Sequence, residues 1–282
     1  MGSVVESIAL WSLRRQGFIS QHVPTKQGRV HLMSAPGGGA LPPIVLMHGL
    51  GARGAQYQRL VRCLRPHTWR LILPDAPGHG LSDTPPEPSV SALAEGLNEA
   101  LASSLDEPAV VFGNSMGGFL AIRFASRHPE RVLGLMVNSP SGAPVPEERR
   151  AVLKRRFSPE GHAEALELVS RVFTSRGPQL HLLALLARAQ LSRPWVRRLV
   201  WGVGEHDELS VEELGRLPSA SLVLWGEQER ALLEEQRDFF ENHLPPGARL
   251  ERPIEYGHSP HLERPAELSE RILRFARGLQ AA

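Results

Sequence analysis

Ser115 stands in Gly113-Asn114-Ser115-Met116-Gly117, directly after the apolar run Ala109-Val110-Val111-Phe112. A serine hydroxyl is a weak nucleophile until it is exposed, placed beside a base and faced by backbone N–H groups that hold an oxyanion. A very tight strand-to-helix turn provides that setting, and its crowded backbone demands small residues two before and two after the serine. Gly113 and Gly117 fill those places, and Gly118 adds room. With Gly and Ser each about 7% of residues, a chain of 282 residues contains about 0.1 such patterns by chance, so the pattern needs partners.

Four further clusters follow a telling order. His48-Gly49-Leu50 closes one apolar run before Ser115, and Asp75-x-x-Gly78-x-Gly80-x-Ser82 closes the next. After Ser115 come Trp225-Gly226-Glu227-Gln228-Glu229 and Tyr256-Gly257-His258-Ser259-Pro260-His261-Leu262-Glu263-Arg264-Pro265. No set of residues has zinc-ligand spacing, such as two histidines at i and i+4 with a carboxylate, and no metal or cofactor is expected. Gly37-Gly38-Gly39 lacks the following lysine and helix of a phosphate loop.

The elements that must position these residues alternate. Strands are expected at 18–24, 29–34, 43–47, 69–73, 109–112, 132–137, 221–225 and 249–254. Helices are expected at 57–64, 90–105, 116–127, 233–244 and 266–279. The rhythm implies an α/β protein with a mostly parallel central sheet of about eight strands, covered by helices on both faces. Between Asn138 and Ser221 it stops, and the intervening residues read as helices at 146–157, 161–174, 178–191 and 194–201. The expected organisation is a core in two parts, 1–140 with an N-terminal helix and 218–282, interrupted by a helical cap at 141–217.

With these motifs in this order, the sequence resembles an α/β-hydrolase-fold serine hydrolase from about Gly28 to the C-terminus, least clearly over the cap. The resemblance implies Ser115 as nucleophile and His258 as general base, with His261 as the rival. It implies an oxyanion hole from the backbone N–H groups of Leu50 and Met116, with His48 shaping the early turn. Where the family usually has Asp after the Trp-Gly strand end, this chain has Glu229. Glutamate can orient the imidazole equally, with on the order of 1.5 Å more reach, and Glu227 is the alternative. The family's other acid position, after the strand ending at Val137, holds Asn138 and Ser139 here. The implied activity is cofactor-independent hydrolysis of a small carboxylic ester. Carbon–carbon hydrolysis of ring-fission dienoates and small-molecule binding without turnover are the alternatives. Lactonase, thioesterase, acyltransferase and perhydrolase chemistries stay open on this fold. A serine in the turn argues against the family's epoxide and haloalkane hydrolases, which attack with aspartate.

Composition narrows the class further. The chain has only two lysines, Lys26 and Lys154, against 30 arginines, yet a formal net charge of +2, so no nucleic-acid partner is expected. One cysteine, Cys63, excludes an intrachain disulfide. No apolar run approaches the roughly 20 residues that span a bilayer, and a cytoplasmic protein is the expectation. Val4, Ile8 and Trp11, beside Val5, form a helical stripe expected to pack on the domain; an oligomer contact or a membrane-surface anchor is the alternative. From Leu168 to Gly204 there is no acidic residue but six arginines: Arg171, Arg176, Arg188, Arg193, Arg197 and Arg198. Solvated arginines on a packed helix are the plain reading; contact with an anionic substrate group or a lipid surface is the sharper one. Phe157, Phe173, Trp195 and Trp201 are candidates to line an apolar pocket.

Overall fold

The computed structural model describes residues 4–280. Eight strands form one sheet: β1 Ile19–Thr25, β2 Gly28–Pro36, β3 Ile44–Met47, β4 Arg70–Pro74, β5 Ala109–Asn114, β6 Val132–Asn138, β7 Ser221–Leu224 and β8 Arg249–Glu251, in the order β1-β2-β4-β3-β5-β6-β7-β8. β1 with β2 and β2 with β4 are antiparallel, and every other pairing is parallel. β3 and β5 are buried at every position, as strands covered on both faces must be. Alternate side chains divide them between two cores. Val45 and Val111 face Leu93, Phe119 and Phe124, whereas Leu46, Val110 and Phe112 face Leu268 and Ile272.

The helices are α1 Val4–Arg15, α2 Gln58–Leu64, α3 Val90–Ser104, α4 Met116–Arg127, α5 Glu147–Arg156, α6 His162–Val172, α7 Gln179–Leu191, α8 Pro194–Gly202, α9 Val211–Gly215, α10 Glu234–His243, α11 Pro260–Glu263 and α12 Pro265–Gln280. α5 to α9 lie between β6 and β7, and no strand interrupts them among the described residues. α6 and α7 join through a small cluster of Ala165, Val169, Leu180 and Ala184.

Chain order reverses about β3, which lies between β4 and β5; such a switch point leaves a crevice beyond the carboxyl ends of the strands. The register puts Met47, Gly113, Val137, Val223 and Leu250 in one row, so the loops that follow all leave the sheet at one edge. β8 is shorter than expected. It ends at Glu251 shortly before Pro253, which has no N–H to give to a ladder. Helices α9 and α11 are too short to carry a readable period.

The N-terminal stripe departs from expectation. α1 packs through Ala9 and Leu13, which are buried, and leaves Ile8 and Trp11 exposed. A small residue at the contact lets the helix approach the turn Gly54–Tyr57 closely, which rotates the larger side chains outward. The side chains of Val4 and Val5 lie outside the described residues.

The turn after β5 is fixed by contacts that no side chain can share. A Cβ on Gly117 would lie 2.1 Å from the carbonyl oxygen of Met47, and one on Gly113 would lie 2.3 Å from that of Gly117. Both obstacles are backbone. Gly117→Ala is therefore expected to destabilise the fold by about 3 kcal/mol or more, measured by urea unfolding. Gly278→Ala, on α12 with no atom within 4 Å of the added carbon, should instead stabilise by about 1 kcal/mol. Equal effects at both sites would refute the steric account.

Candidate functional site

Ser115 joins β5 to α4 with φ 57° and ψ −122°. It and Ser139 are the non-glycine residues with positive φ among the described residues. The Ser115 N–H donates to the Asn138 carbonyl at 3.0 Å, and its own carbonyl accepts from Phe119 and Ser141 at 3.1 and 3.2 Å. Backbone bonds thus hold the strained residue on both sides. Met116 opens α4, so its N–H is among the first four that have no acceptor within the helix and lie at its positive end.

His48-Gly49-Leu50 lies against this turn: a Cβ on Gly49 would stand 3.4 Å from the Ser115 Cβ. His48 Nε2 accepts from the Ala76 N–H at 3.0 Å, which leaves Nδ1 to donate to the Gly49 carbonyl at 2.8 Å. The ring is therefore the neutral tautomer, and burial lowers its pKa in keeping with that. His48 thereby ties the turn at Gly49 to Ala76. Asp75 acts one layer further out. Its carboxylate accepts from the Gly54 N–H at 2.7 Å, the Leu81 N–H at 2.9 Å and His31 Nδ1 at 2.9 Å, tying the loops after β3 and β4 together.

Glu229 and His258 meet across the ends of β7 and β8. His258 Nδ1 lies 2.8 Å from Glu229 Oε2, and both side chains are buried. Glu229 Oε1 accepts from the N–H groups of Ala231 and Leu232 at 2.7 and 3.1 Å. Burial alone would push this carboxyl up. The facing His258, the Ser139 hydroxyl and the Leu232 N–H outweigh it and hold the pKa at about 2. An ionised carboxylate on Nδ1 fixes the tautomer and leaves Nε2 as the basic nitrogen.

The rival residues make different contacts. Glu227 pairs with Arg252 at 3.0 Å on the surface. His261, on α11, lines the same cavity as His258, and its ring lies tilted against that of Tyr57, 5.0 Å between centroids. Burial and then the charge of His258 push its pKa down to about 3, too low for an effective base near neutrality.

Two cavities meet at Ser115. The first, about 170 Å³, is walled by Leu93, Phe119, Leu153, Phe157, Leu199 and Val200. The second, about 390 Å³, is bordered by Gly49, Arg53, Phe173, Leu186 and His258. Ser115, Leu50 and Phe157 line both, and Met116 lines the first. Of the expected aromatic lining, Phe157 and Phe173 are present. Trp195 packs edge-on against His79 at 4.8 Å, and Trp201 is exposed. None of the six arginines between Leu168 and Gly204 borders either cavity. Arg171 pairs with Glu167 at 2.8 Å and Arg197 with Glu160 at 3.3 Å. The arginine and lysine side chains that line the cavities are Arg53, Arg150 and Lys154 instead. Arg150 is itself held by Glu147 and by Glu208 at 2.9 Å.

Several site residues escaped the sequence. At Asn138 and Ser139 the sequence shows only that an acid is absent. In the structure the Asn138 amide donates to Asn114 Oδ1 at 2.9 Å and to the His258 carbonyl at 3.2 Å, while Ser139 braces Glu229. Arg230 donates to the Ser170 and Phe173 carbonyls at 3.0 and 2.8 Å. Glu263 accepts from the N–H groups of Thr174 and Ser175 at 3.0 and 2.9 Å. The neighbours of Glu229 and His258 are thereby fastened to the end of α6. No local pattern announces such contacts, which span 24 to 120 residues of chain. Among the described residues, no group of three or more His, Cys, Asp or Glu side chains is placed to hold a metal ion. No helix among them is long and apolar enough to cross a membrane.

Comparison with known proteins now decides the family. A profile of the alpha/beta hydrolase family matches residues 44–271, from the start of β3 into α12. This chain belongs to that family. The chain is 32% identical to the 2-hydroxy-6-oxononadienedioate/2-hydroxy-6-oxononatrienedioate hydrolase of Cupriavidus pinatubonensis, over 75% of this chain and 79% of that protein. It is 33% identical to the pimeloyl-[acyl-carrier protein] methyl ester esterase of Chromobacterium violaceum, but over only 45% of this chain and 48% of that one. Among solved structures, a membrane phospholipase A superposes with a TM-score of 0.80 over 99% of this chain and 93% of that one, at 24% identity, a likeness of fold alone. These relatives are α/β hydrolases.

Proposed function

We propose that the protein is a serine hydrolase that cleaves a carboxylic ester through an acyl-enzyme on Ser115. The observation that carries this reading is the position of Ser115 at the junction of two cavities, one of which is also lined by His258, itself paired with the buried Glu229. A bond cleaved at Ser115 has room on each side for a substituent. His258 Nε2 takes the Ser115 proton as the hydroxyl oxygen attacks the carbonyl carbon. The N–H groups of Leu50 and Met116 hold the tetrahedral oxyanion, and Glu229 stabilises the imidazolium that forms. Collapse expels the alcohol, which leaves with the proton from His258. Water, deprotonated by His258, then attacks the acyl carbon and releases the acid and Ser115. Helices α5 to α8 act as the cap over this site.

A fluorophosphonate probe tests the nucleophile. Rapid, stoichiometric labelling is expected, mapping to the peptide that carries Ser115; a refractory protein, or labelling elsewhere, refutes the reading. The match to the dienedioate hydrolase favours a second reading, in which the same serine site cleaves a carbon–carbon bond beside a ketone. Turnover of p-nitrophenyl butyrate and of a 2-hydroxy-6-oxo-dienedioate, compared by kcat/KM, separates the two. A preference above about tenfold for the dienedioate would replace the ester assignment.

A further inference from the structure

Four large apolar side chains stand in solvent beside the cavity that holds Ser115 and His258. On α1, Ile8 is 57% and Trp11 58% exposed; on α7, Leu182 is 59% and Leu185 53% exposed. Both helices border that cavity, α1 through Ala9 and α7 through Leu183, Leu186 and Ala187. At 100° per residue, Leu182 and Leu185 sit on the flank of α7 next to Leu186, so its apolar surface continues from the cavity wall to the outside.

Charge says what covers these residues. The stretch from Leu168 to Gly204, which contains all of α7, has six arginines and no carboxylate, and α1 ends in Arg14-Arg15. The Arg15 guanidinium lies 5.0 Å from the Trp11 ring centroid, so cation and aromatic form one exposed unit. Among the described residues, Arg198 is exposed without a carboxylate partner, and Arg188 donates to the backbone carbonyl of Glu160 and has no carboxylate partner. A two-fold contact with a second copy would set this positive surface against itself. A lipid surface fits both properties. Leucine and isoleucine enter the acyl boundary, tryptophan and arginine sit at headgroup depth, and anionic headgroups neutralise the arginines.

We propose that α1 and α7 together form a docking face for an anionic lipid surface, which holds the Ser115 cavity against the lipid and delivers amphiphilic esters to it. The delivery half rests on the ester-hydrolase reading above; the docking half does not.

The full-length protein, floated with vesicles of phosphatidylcholine containing one-third phosphatidylglycerol, tests this. Binding is expected, with little to phosphatidylcholine alone and progressive loss as salt rises. Trp11→Ser and the pair Leu182→Ser with Leu185→Ser should each weaken binding about tenfold or more. Hydrolysis of soluble p-nitrophenyl butyrate should stay within about twofold of wild type, which also shows that the variants fold. Absence of vesicle binding by the wild type overturns the proposal, as does binding that the variants leave unchanged. A wild-type dimer that the same variants dissociate also overturns it, by giving the face to a second copy. Vesicle binding by a protein with no ester turnover supports the docking face and refutes only the hydrolase reading.

Discussion

Alanine at position 115 is expected to lower kcat on a short-chain ester by about 10⁴-fold or more and to leave KM within a few-fold. In the proposed mechanism the substitution removes the oxygen that forms the acyl bond, while both cavities and the backbone N–H groups of Leu50 and Met116 persist. Glycine at the same position should be equally inactive but more stable. With φ 57° and ψ −122°, Ser115 sits where a Cβ is strained, at a cost on the order of 1–3 kcal/mol. Glycine relieves the strain and returns about 0.5–1 kcal/mol of it as unfolded-chain entropy. A net gain of about 1 kcal/mol would raise Tm by roughly 2 °C in a domain of this size. Calorimetry of Ser115→Gly beside Ser115→Ala reads the difference directly, since both lose the hydroxyl and only one keeps the Cβ. Equal Tm values would remove strain from the account, and substantial turnover by either variant would remove Ser115 from the chemistry.

The strain is tolerated because the turn is overdetermined. Gly113 and Gly117 let three backbones meet, the Asn138 carbonyl accepts from the Ser115 N–H, and the Phe119 and Ser141 N–H groups donate to the Ser115 carbonyl. This part of the site was readable from sequence for the same reason: its constraint is local, and only glycine meets it. The strand rhythm was readable too, because parallel strands buried on both faces are written as unbroken apolar runs such as Ile44-Val45-Leu46-Met47.

Other features are set by distant contacts and leave no local trace. The sequence points to Glu229 by its place after Trp225-Gly226, but it leaves Glu227 as an alternative, because which carboxylate turns inward is set by contacts with the distant loop that carries His258. Asn138 and Ser139 look inert in sequence; they matter because β6 ends between Ser115 and Glu229. The stripe of Ile8 and Trp11 has a core-like period, yet Ala9 and Leu13 make the contact, since closeness of approach, and not apolar area, decides how α1 seats. The arginine-rich stretch has the composition of an anion site, but the folding of α6 to α8 turns its arginines away from both cavities.

Glu229→Gln is expected to lower kcat at neutral pH by about 10³- to 10⁴-fold. The glutamine side chain can still bond to Nδ1, but it offers no negative charge to the imidazolium and can present its amide as donor, which favours the wrong tautomer. Glu229→Asp should fall between the two, since the shorter acid must leave either His258 or the Ala231 and Leu232 N–H groups that now hold it. The carboxyl is held at about 2 against an ordinary 4.5, so its ionised form stabilises the fold fully above about pH 4.5. That contribution is lost as pH falls from there through about 2, where the folded state must take up the proton. Urea midpoints measured between pH 5 and 2 should therefore decline less steeply for Glu229→Gln than for the wild type. The kinetic and the pH results must agree on one residue. Glu227→Gln, which removes only a surface pairing with Arg252, is expected to leave both unchanged. If it instead matched the kinetic loss, the acid opposite His258 in catalysis would have to be Glu227, and the loop after β7 would have to rearrange during turnover.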